Sequence, residues 1–269
     1  MNARGSLLPR LVLSMLAAIA GLLAPSPALA ESEPCHLASQ HAGLSFPVER
    51  VEAIWNCRLY AIIENYTTAN SVGPISTPLP EAVYLSLLDH PPMTAALINR
   101  LDLALYRAEQ RGPGRYWGSD GEGTEGIVEL VYQDRATRIY YLEGTHESRV
   151  LPRLGGKAVI FLRMHRLREA NGMEAMETTM VSYTRLDNRV LSGIASLLRP
   201  LIGGTVTRKL AKGVETVNQL SRIMRREPDR VMFEALDPPP FRDDEVVLLR
   251  QTLATVRHPT AIDRLSAAP

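Results

Sequence analysis

Between residues 104 and 186 the chain keeps returning to a two-residue period. Runs near 104–110, 114–119, 126–133, 137–146, 157–168 and 174–186 alternate apolar and polar residues or are rich in Tyr, Val and Ile. Turn-forming groups separate them: Gly112-Pro113-Gly114, Asp120-Gly121, Asp134-Arg135-Ala136, the stretch 152–156 and Asn171-Gly172. Side chains in a strand point to alternate faces, and such turns join neighbours directly, so these runs predict an antiparallel meander. A sheet of this kind must have one face covered. The cover comes next in the chain, where Leu191, Ile194, Leu198, Ile202, Val206, Leu210, Val214, Val217 and Met224 recur at helical spacing after a cap at Asp187-Asn188. Pro200 and Gly203-Gly204 are expected to break this segment into a short helix to 199 and a long amphipathic one over 200–225.

The N-terminus has to be set aside before any fold reasoning. Arg4 and Arg10 give a basic start, an uncharged apolar run follows over 11–24, and Ala28-Leu29-Ala30 is a small-x-small cleavage site. Cleavage is expected after Ala30, with a periplasmic or extracellular destination. The run is shorter than the roughly 20 apolar residues that span a bilayer, and Pro25 and Pro27 end it, although an uncut anchor carries the same signals. Export fits the two cysteines, Cys35 and Cys57, which are expected to form a disulfide rather than remain two buried thiols. Their spacing matches no metal-ligand pattern, and no metal or cofactor is expected.

Charge excludes one class of partner. The chain has 30 Lys plus Arg against 29 Asp plus Glu, and removing Arg4 and Arg10 with the leader leaves 28 against 29, a net charge of −1. Nucleic acid needs a clustered basic surface and is not an expected partner. The most basic runs, 163–168 and 222–226, read as solvated element ends, with a transient contact to anionic lipid heads as the alternative. At 45% apolar and 22% charged the composition is that of an ordinary globular domain.

Residues 47–67 turn helical, with Val48, Val51, Ile54, Leu59, Ile62 and Ile63 at helical spacing and Pro47 in the first turn. Asn65-Tyr66-Thr67 matches a glycosylation triplet but falls at a helix end. A short strand is expected over 71–77, then two helices, 81–89 and 93–101, separated by Pro91-Pro92. Two weaker helices, 229–236 and 243–256, close the chain.

A short strand, the phrase PLPEAVYLSLLDHPPM over 78–93, a meander and a closing long helix together resemble the START-like, or helix-grip, superfamily. The resemblance covers roughly 71–225. It implies an α+β fold in which a curved antiparallel sheet wraps around a long C-terminal helix, here with an extra N-terminal helix. The expected organisation is a signal peptide over 1–30, a disulfide-tied helical extension over 31–70, the helix-grip domain over 71–226 and a helical tail over 227–269. The superfamily includes both carriers and cyclases, so the resemblance implies a cavity, often for lipids, sterols or polyketide-like aromatics, without choosing between them.

Alternation assigns the lining of such a cavity if the more apolar face of each strand looks inward. That face carries Val128, Leu130, Tyr132, Tyr140, Leu142, His146, Ile160, Leu162, Met164, Met176, Thr178, Met180, Ser182 and Thr184. Among these, Tyr132, Tyr140, His146, Met164, Met180, Ser182 and Thr184 are the candidate ligand contacts, because hydroxyls among methionines suit an apolar ligand with a polar end. Filling of an ordinary core accounts for the same residues. Arg163, His165 and Arg185 are expected on the outer face.

Two further motifs were weighed as chemistry. The GxGxxG match over 121–126 precedes a strand, opens no helix and carries Glu122 and Glu125 where a pyrophosphate would be repelled, so it reads as a mobile acidic hairpin turn that either gates a groove or is idle surface. Glu143 and His146 would meet only if Gly144 forms a bulge, giving a carboxylate-oriented general base for a cyclase, isomerase or hydrolase. No nucleophile elbow accompanies them, and the expected function is binding without catalysis: an exported protein holding a hydrophobic small molecule, such as a lipid, in a groove. A scaffold with a collapsed groove is the remaining alternative.

Overall fold

In the computed structural model, residues 35–147, 153–170, 172–187 and 195–257 are described, with the side chains of 195–202 and 257 left out. The leader, Asn171 of the Asn171-Gly172 turn, the cap at Asn188 and the apolar positions Leu191 and Ile194 lie outside these residues. The elements run β1 (Gln40–His41), β2 (Leu44–Ser45), a 3-10 turn (Val48–Arg50), α1 (Ala53–Ile63), β3 (Thr68–Thr77), α2 (Glu81–Asp89), α3 (Pro91–Arg100), β4 (Arg107–Gly112), β5 (Arg115–Ser119), β6 (Thr124–Gln133), β7 (Thr137–His146), β8 (Leu154–Arg168), β9 (Glu174–Leu186), α4 (Ala195–Arg226), α5 (Pro228–Leu236) and α6 (Asp243–Arg257).

Strands β3 to β9 form one curved antiparallel sheet in the order β3-β9-β8-β7-β6-β5-β4. The meander β4 to β9 is consecutive in sequence, and β3 closes it by pairing with β9, from Thr68↔Thr184 to Thr77↔Met176. Pro74 is tolerated in β3 because that strand is at the edge and shifts register between Val72 and Ile75. Helix α4 crosses the concave face: Leu220 and Met224 are buried in one cluster with Leu162 and Met164 of β8 and Met176 of β9. This is the helix-grip architecture. Contrary to the expected break, α4 is a single 32-residue helix that passes through Pro200 and Gly203-Gly204.

The concave face is divided along the strands. At one end it is solid, because Val83, Leu87, Met93 and Leu97 of α2 and α3, Val231 and Ala235 of α5, and Leu249 and Leu253 of α6 join the cluster under α4. The C-terminal tail is thus part of the main core. Arg100 fixes it there: its guanidinium donates to the carbonyls of Glu234, Asp237 and Pro239 and lies 4.5 Å from the centre of the Phe241 ring. At the other end the sheet presents a row without side chains. Gly118 pairs with Gly126, Gly126 with Gly144, and Gly144 with Gly156, so four adjacent strands contribute a glycine at one level. The two central backbones are turned so that a Cβ on Gly126 would lie 2.4 Å from the Glu143 carbonyl oxygen, and one on Gly144 would lie 2.3 Å from that of Glu125. Only glycine fits there.

The convex face is covered as well. Leu37, Phe46, Val48, Val51, Leu59 and Ile62 of the N-terminal extension pack on Ile139, Tyr141, Val159, Phe161 and Val181 of the sheet. His41 stacks on Phe161 with ring centres 4.2 Å apart, and Arg58 lies over Trp55 and Tyr141. The Cys35–Cys57 disulfide ties the start of this extension to α1. Helix α1 is shorter than the periodicity implied, and Ile54, expected on its apolar stripe, is 72% exposed. Arg163 and Arg185 do lie outward, where they bond Ser45 and Ala61 carbonyls of the extension rather than solvent alone.

Two consequences are measurable by urea unfolding. Removing the disulfide by Cys35→Ser with Cys57→Ser is expected to cost about 3 kcal/mol, the loop-closure value for a bridge spanning 22 residues. Gly144→Ala drives a methyl into backbone and is expected to cost about 3 kcal/mol, whereas Gly213→Ala, where a Cβ meets nothing within 4 Å in α4, is expected to stabilise by about 0.5–1 kcal/mol.

Candidate functional site

The side-chain-free row is the floor of a cavity. The space between the sheet and the middle of α4 measures about 670 Å³, with Gly118, Gly126, Gly144 and Gly156 all in its lining. Apolar walls come from α2 and α3 (Leu87, Ile98), the sheet (Val128, Leu142, Ile160) and α4 (Val206, Leu210, Val217). A smaller chamber of about 280 Å³ shares Leu88, Pro91, Val128 and Tyr140 with it and adds Asp89, Leu130, Gln133 and Arg138. Arg138, 3% exposed, donates to Asp89 at 2.7 Å. Spaces of this size accommodate small-molecule ligands.

Of the seven candidate contacts, four line the main cavity: Tyr140, His146, Ser182 and Thr184. Met164 and Met180 face the same side but belong to the solid half, Met164 buried to 1% exposure within the core cluster and Met180 packed against it. Their inward direction follows alternation; which half of the groove they occupy depends on the tail helices above them. Tyr132 is a correction. The β6–β7 pairing shifts between Leu130 and Tyr132, so that Leu130 opposes Tyr140 but Tyr132 opposes Ile139. The extra residue, Val131, turns Tyr132 to the convex side, where it packs on the extension and donates to Asp134 at 2.9 Å.

Glu143 and His146 are not brought together. The pairing of β7 with β6 and β8 runs through Gly144 without a bulge, so the two side chains point to opposite faces. Glu143 accepts from the Tyr141 hydroxyl at 2.7 Å and lies 3.5 Å from Lys157; the Tyr141 bond, ahead of Lys157, holds its carboxyl below the usual range. His146 instead meets Thr124, Nδ1 to Oγ1 at 2.9 Å. A carboxylate-oriented imidazole therefore does not form.

Sequence reading missed the lysines that close one end of the cavity. The β5–β6 turn is held to α4 by ion pairs of Lys209 with Asp120 and Lys212 with Glu122, with Lys209 also 3.6 Å from Glu122. Asp120 in turn accepts the backbone N–H groups of Glu122 and Thr124 at 2.8 and 2.9 Å. Burial pushes its carboxyl up, but the Lys209 ammonium and these donors outweigh that and keep it below the usual range. Glu122 is lowered by Lys212. The acidic turn is thus a strap across the cavity end. The only signal for this in the sequence is Lys209 and Lys212 falling one helical turn apart on the amphipathic helix.

No family model matches the chain, and no curated protein matches it. Among solved structures it is similar to a conserved protein from Geobacillus kaustophilus, with TM-score 0.42 and 11% identity over 57% of this chain and 93% of that one. It is also similar to an uncharacterized protein from Rhizobium leguminosarum, with TM-score 0.35 and 16% identity over 58% of this chain and 97% of that one. A third similar structure is that of Ara h 8.0201, with TM-score 0.35 and 15% identity over 57% of this chain and 98% of that one.

Burial, followed by the charge of Lys209, lowers the pKa of His146. The unfolded chain therefore binds a proton on this residue more readily than the folded one, and stability contributed by neutral His146 is complete above about pH 6.5 and falls as pH drops through that value. Melting temperatures between pH 7.5 and 5.5 are expected to fall less for His146→Gln than for the unsubstituted protein.

Proposed function

We propose that this chain is an exported member of the START-like group that binds a hydrophobic small molecule between its sheet and α4 and releases it unchanged. The observation that carries this is the cavity of about 670 Å³, walled mainly by apolar side chains and floored by glycines. A ligand that buries about 300 Å² of apolar surface there gains about 7 kcal/mol before ordering costs. Export is supported by the leader pattern and by the Cys35–Cys57 bond, which persists in an oxidising compartment. Among the described residues no helix is long and apolar enough to cross a membrane. A lipid is the ligand class that the apolar lining favours, and its transfer involves a transient contact with a membrane surface. Catalysis has no matching support, since Glu143 and His146 lie on opposite faces.

The test uses protein made through its export route. Native mass spectrometry followed by solvent extraction is expected to show a copurifying apolar molecule. Ala158→Phe, which places a ring on the floor between Gly156 and Ile160, is expected to lower its occupancy at least about tenfold with the melting temperature unchanged or raised. Equal occupancy in the folded variant would rule out this cavity as the site.

A further inference from the structure

The polar groups at the cavity fall into two sets with different chemistry. At the strapped end they are charged and mutually compensated, Lys209 lying between Asp120 and Glu122 and Lys212 on Glu122. Along the β3–β9 side they are uncharged. Thr68 and Asn70 of β3 stand opposite Thr184 and Ser182 of β9, two register pairs that make a block of four polar side chains on the concave face. Ser182 and Thr184 line the cavity, while Asn70 lies under α4, where its amide oxygen accepts from Thr207 at 2.9 Å.

Three polar atoms of this block are buried without a hydrogen-bond partner among the described residues: Thr68 Oγ1, the Asn70 side-chain nitrogen and Ser182 Oγ. Turning the Asn70 amide over would only exchange which of its two atoms meets Thr207. Ser182 is 2% exposed. A buried hydroxyl or amide without a partner is unfavourable, and a valine or alanine would serve a purely structural wall at these positions without that cost. Ser182 and Thr184 bring this block to one wall of a largely apolar space, with Asn70 and Thr68 paired beside them on β3, and form a site that a bound molecule would complete. Its donors and acceptors are neutral, and no carboxylate, ammonium, guanidinium or imidazole belongs to it, so an ionised head would lose hydration there without gaining a counter-charge.

Building on the proposed binding function, we infer that the cavity selects amphiphiles with an uncharged, hydroxyl-type head, which seats against Ser182 and Thr184 while the apolar body extends over the glycine floor toward Val128 and Leu142. A hydroxyl suits this wall because it both donates to and accepts from the Ser182 and Thr184 hydroxyls. The strap end, with its charges already paired, holds the opposite end of the ligand in by closure rather than by recognition.

The experiment is displacement of the neutral fluorophore N-phenyl-1-naphthylamine from the disulfide-bonded protein at pH 8 by dodecan-1-ol or by dodecanoate, which share a chain length and differ in head charge. Dodecan-1-ol is expected to displace the probe at about tenfold lower concentration than dodecanoate, and Ser182→Ala is expected to weaken dodecan-1-ol about five- to tenfold more than it weakens dodecanoate. Equal or tighter binding of dodecanoate overturns the inference. So does unchanged dodecan-1-ol affinity in the folded Ser182→Ala protein, which would mean that water alone serves these groups. Either result leaves hydrophobic binding intact as long as the probe binds and Ala158→Phe blocks it; failure of the probe itself to bind removes the binding function and this inference together.

Discussion

The backbone contact between β6 and β7 at Gly126 and Gly144 is the constraint on which the open half of this molecule depends. Each glycine lies so close to the carbonyl of the other strand that no side chain can be inserted without moving the sheet. Most cavities in proteins are lost by adjustment of the side chains around them, since interiors pack to high density and cores repack when volume changes. Here the floor has no side chains to adjust. Gly118 and Gly156 extend it on either side, so the row crosses four strands, and any closure of the groove would have to come from movement of α4.

Movement of α4 is opposed along its C-terminal half and at its middle. Its C-terminal half is anchored by Leu220 and Met224 in the solid core and by the buried bond from Thr77 to Asn218. Its middle is tied by Lys209 and Lys212 to the acidic turn, which is itself rigidified by Asp120 capping its own backbone. The ion pairs are partly exposed and contribute little stability individually, about 0–1 kcal/mol each. Their role is geometric: they fix the distance between roof and rim. The convex cover works in the same sense, because a sheet stiffened by Phe46, Phe161, Tyr141 and the disulfide-tied extension cannot flatten to fill the space from below.

Much of the fold was legible in the sequence, and the limits are instructive. Each of the alternating runs corresponds to a strand, because two-residue periodicity and Gly/Pro/Asp turns are local signals. Face assignment also held wherever pairing is regular, as at Tyr140, His146, Ile160, Ser182 and Thr184. It failed at Tyr132 because the bulge at Val131 carries no Gly or Pro to announce it. The bulge at Gly144 that a Glu143–His146 pair would require is absent, since that glycine answers a cross-strand contact and not a kink. The row itself was recoverable in principle: Gly118 and Gly126 flank Glu122 symmetrically, which sets them opposite each other across the turn. What no local pattern contained was the placement of the tail. Helices α5 and α6 decide which half of the concave face is filled, and therefore that Met164 and Met180 pack a core while Ser182 and Thr184 border open space.

The distribution of polarity along the cavity follows from the same division. A charge inside a largely apolar space must be paired or remain near solvent, and the charges of this cavity obey that rule: Lys209, Asp120 and Glu122 gather at the strap, and Arg138 is paired with the half-exposed Asp89 in the side chamber. Ser182 on the cavity wall is the exception in kind, being neutral, buried and without a hydrogen-bond partner for its hydroxyl among the described residues. Its burial is maintained because β9 is laddered to β3 on one side and to β8 on the other, so the strand cannot twist to bring it into water. The sheet thus keeps the hydroxyls of Ser182 and Thr184 on the wall of a space that it also prevents from closing, and it is on this combination, rather than on apolar volume alone, that the proposed recognition rests.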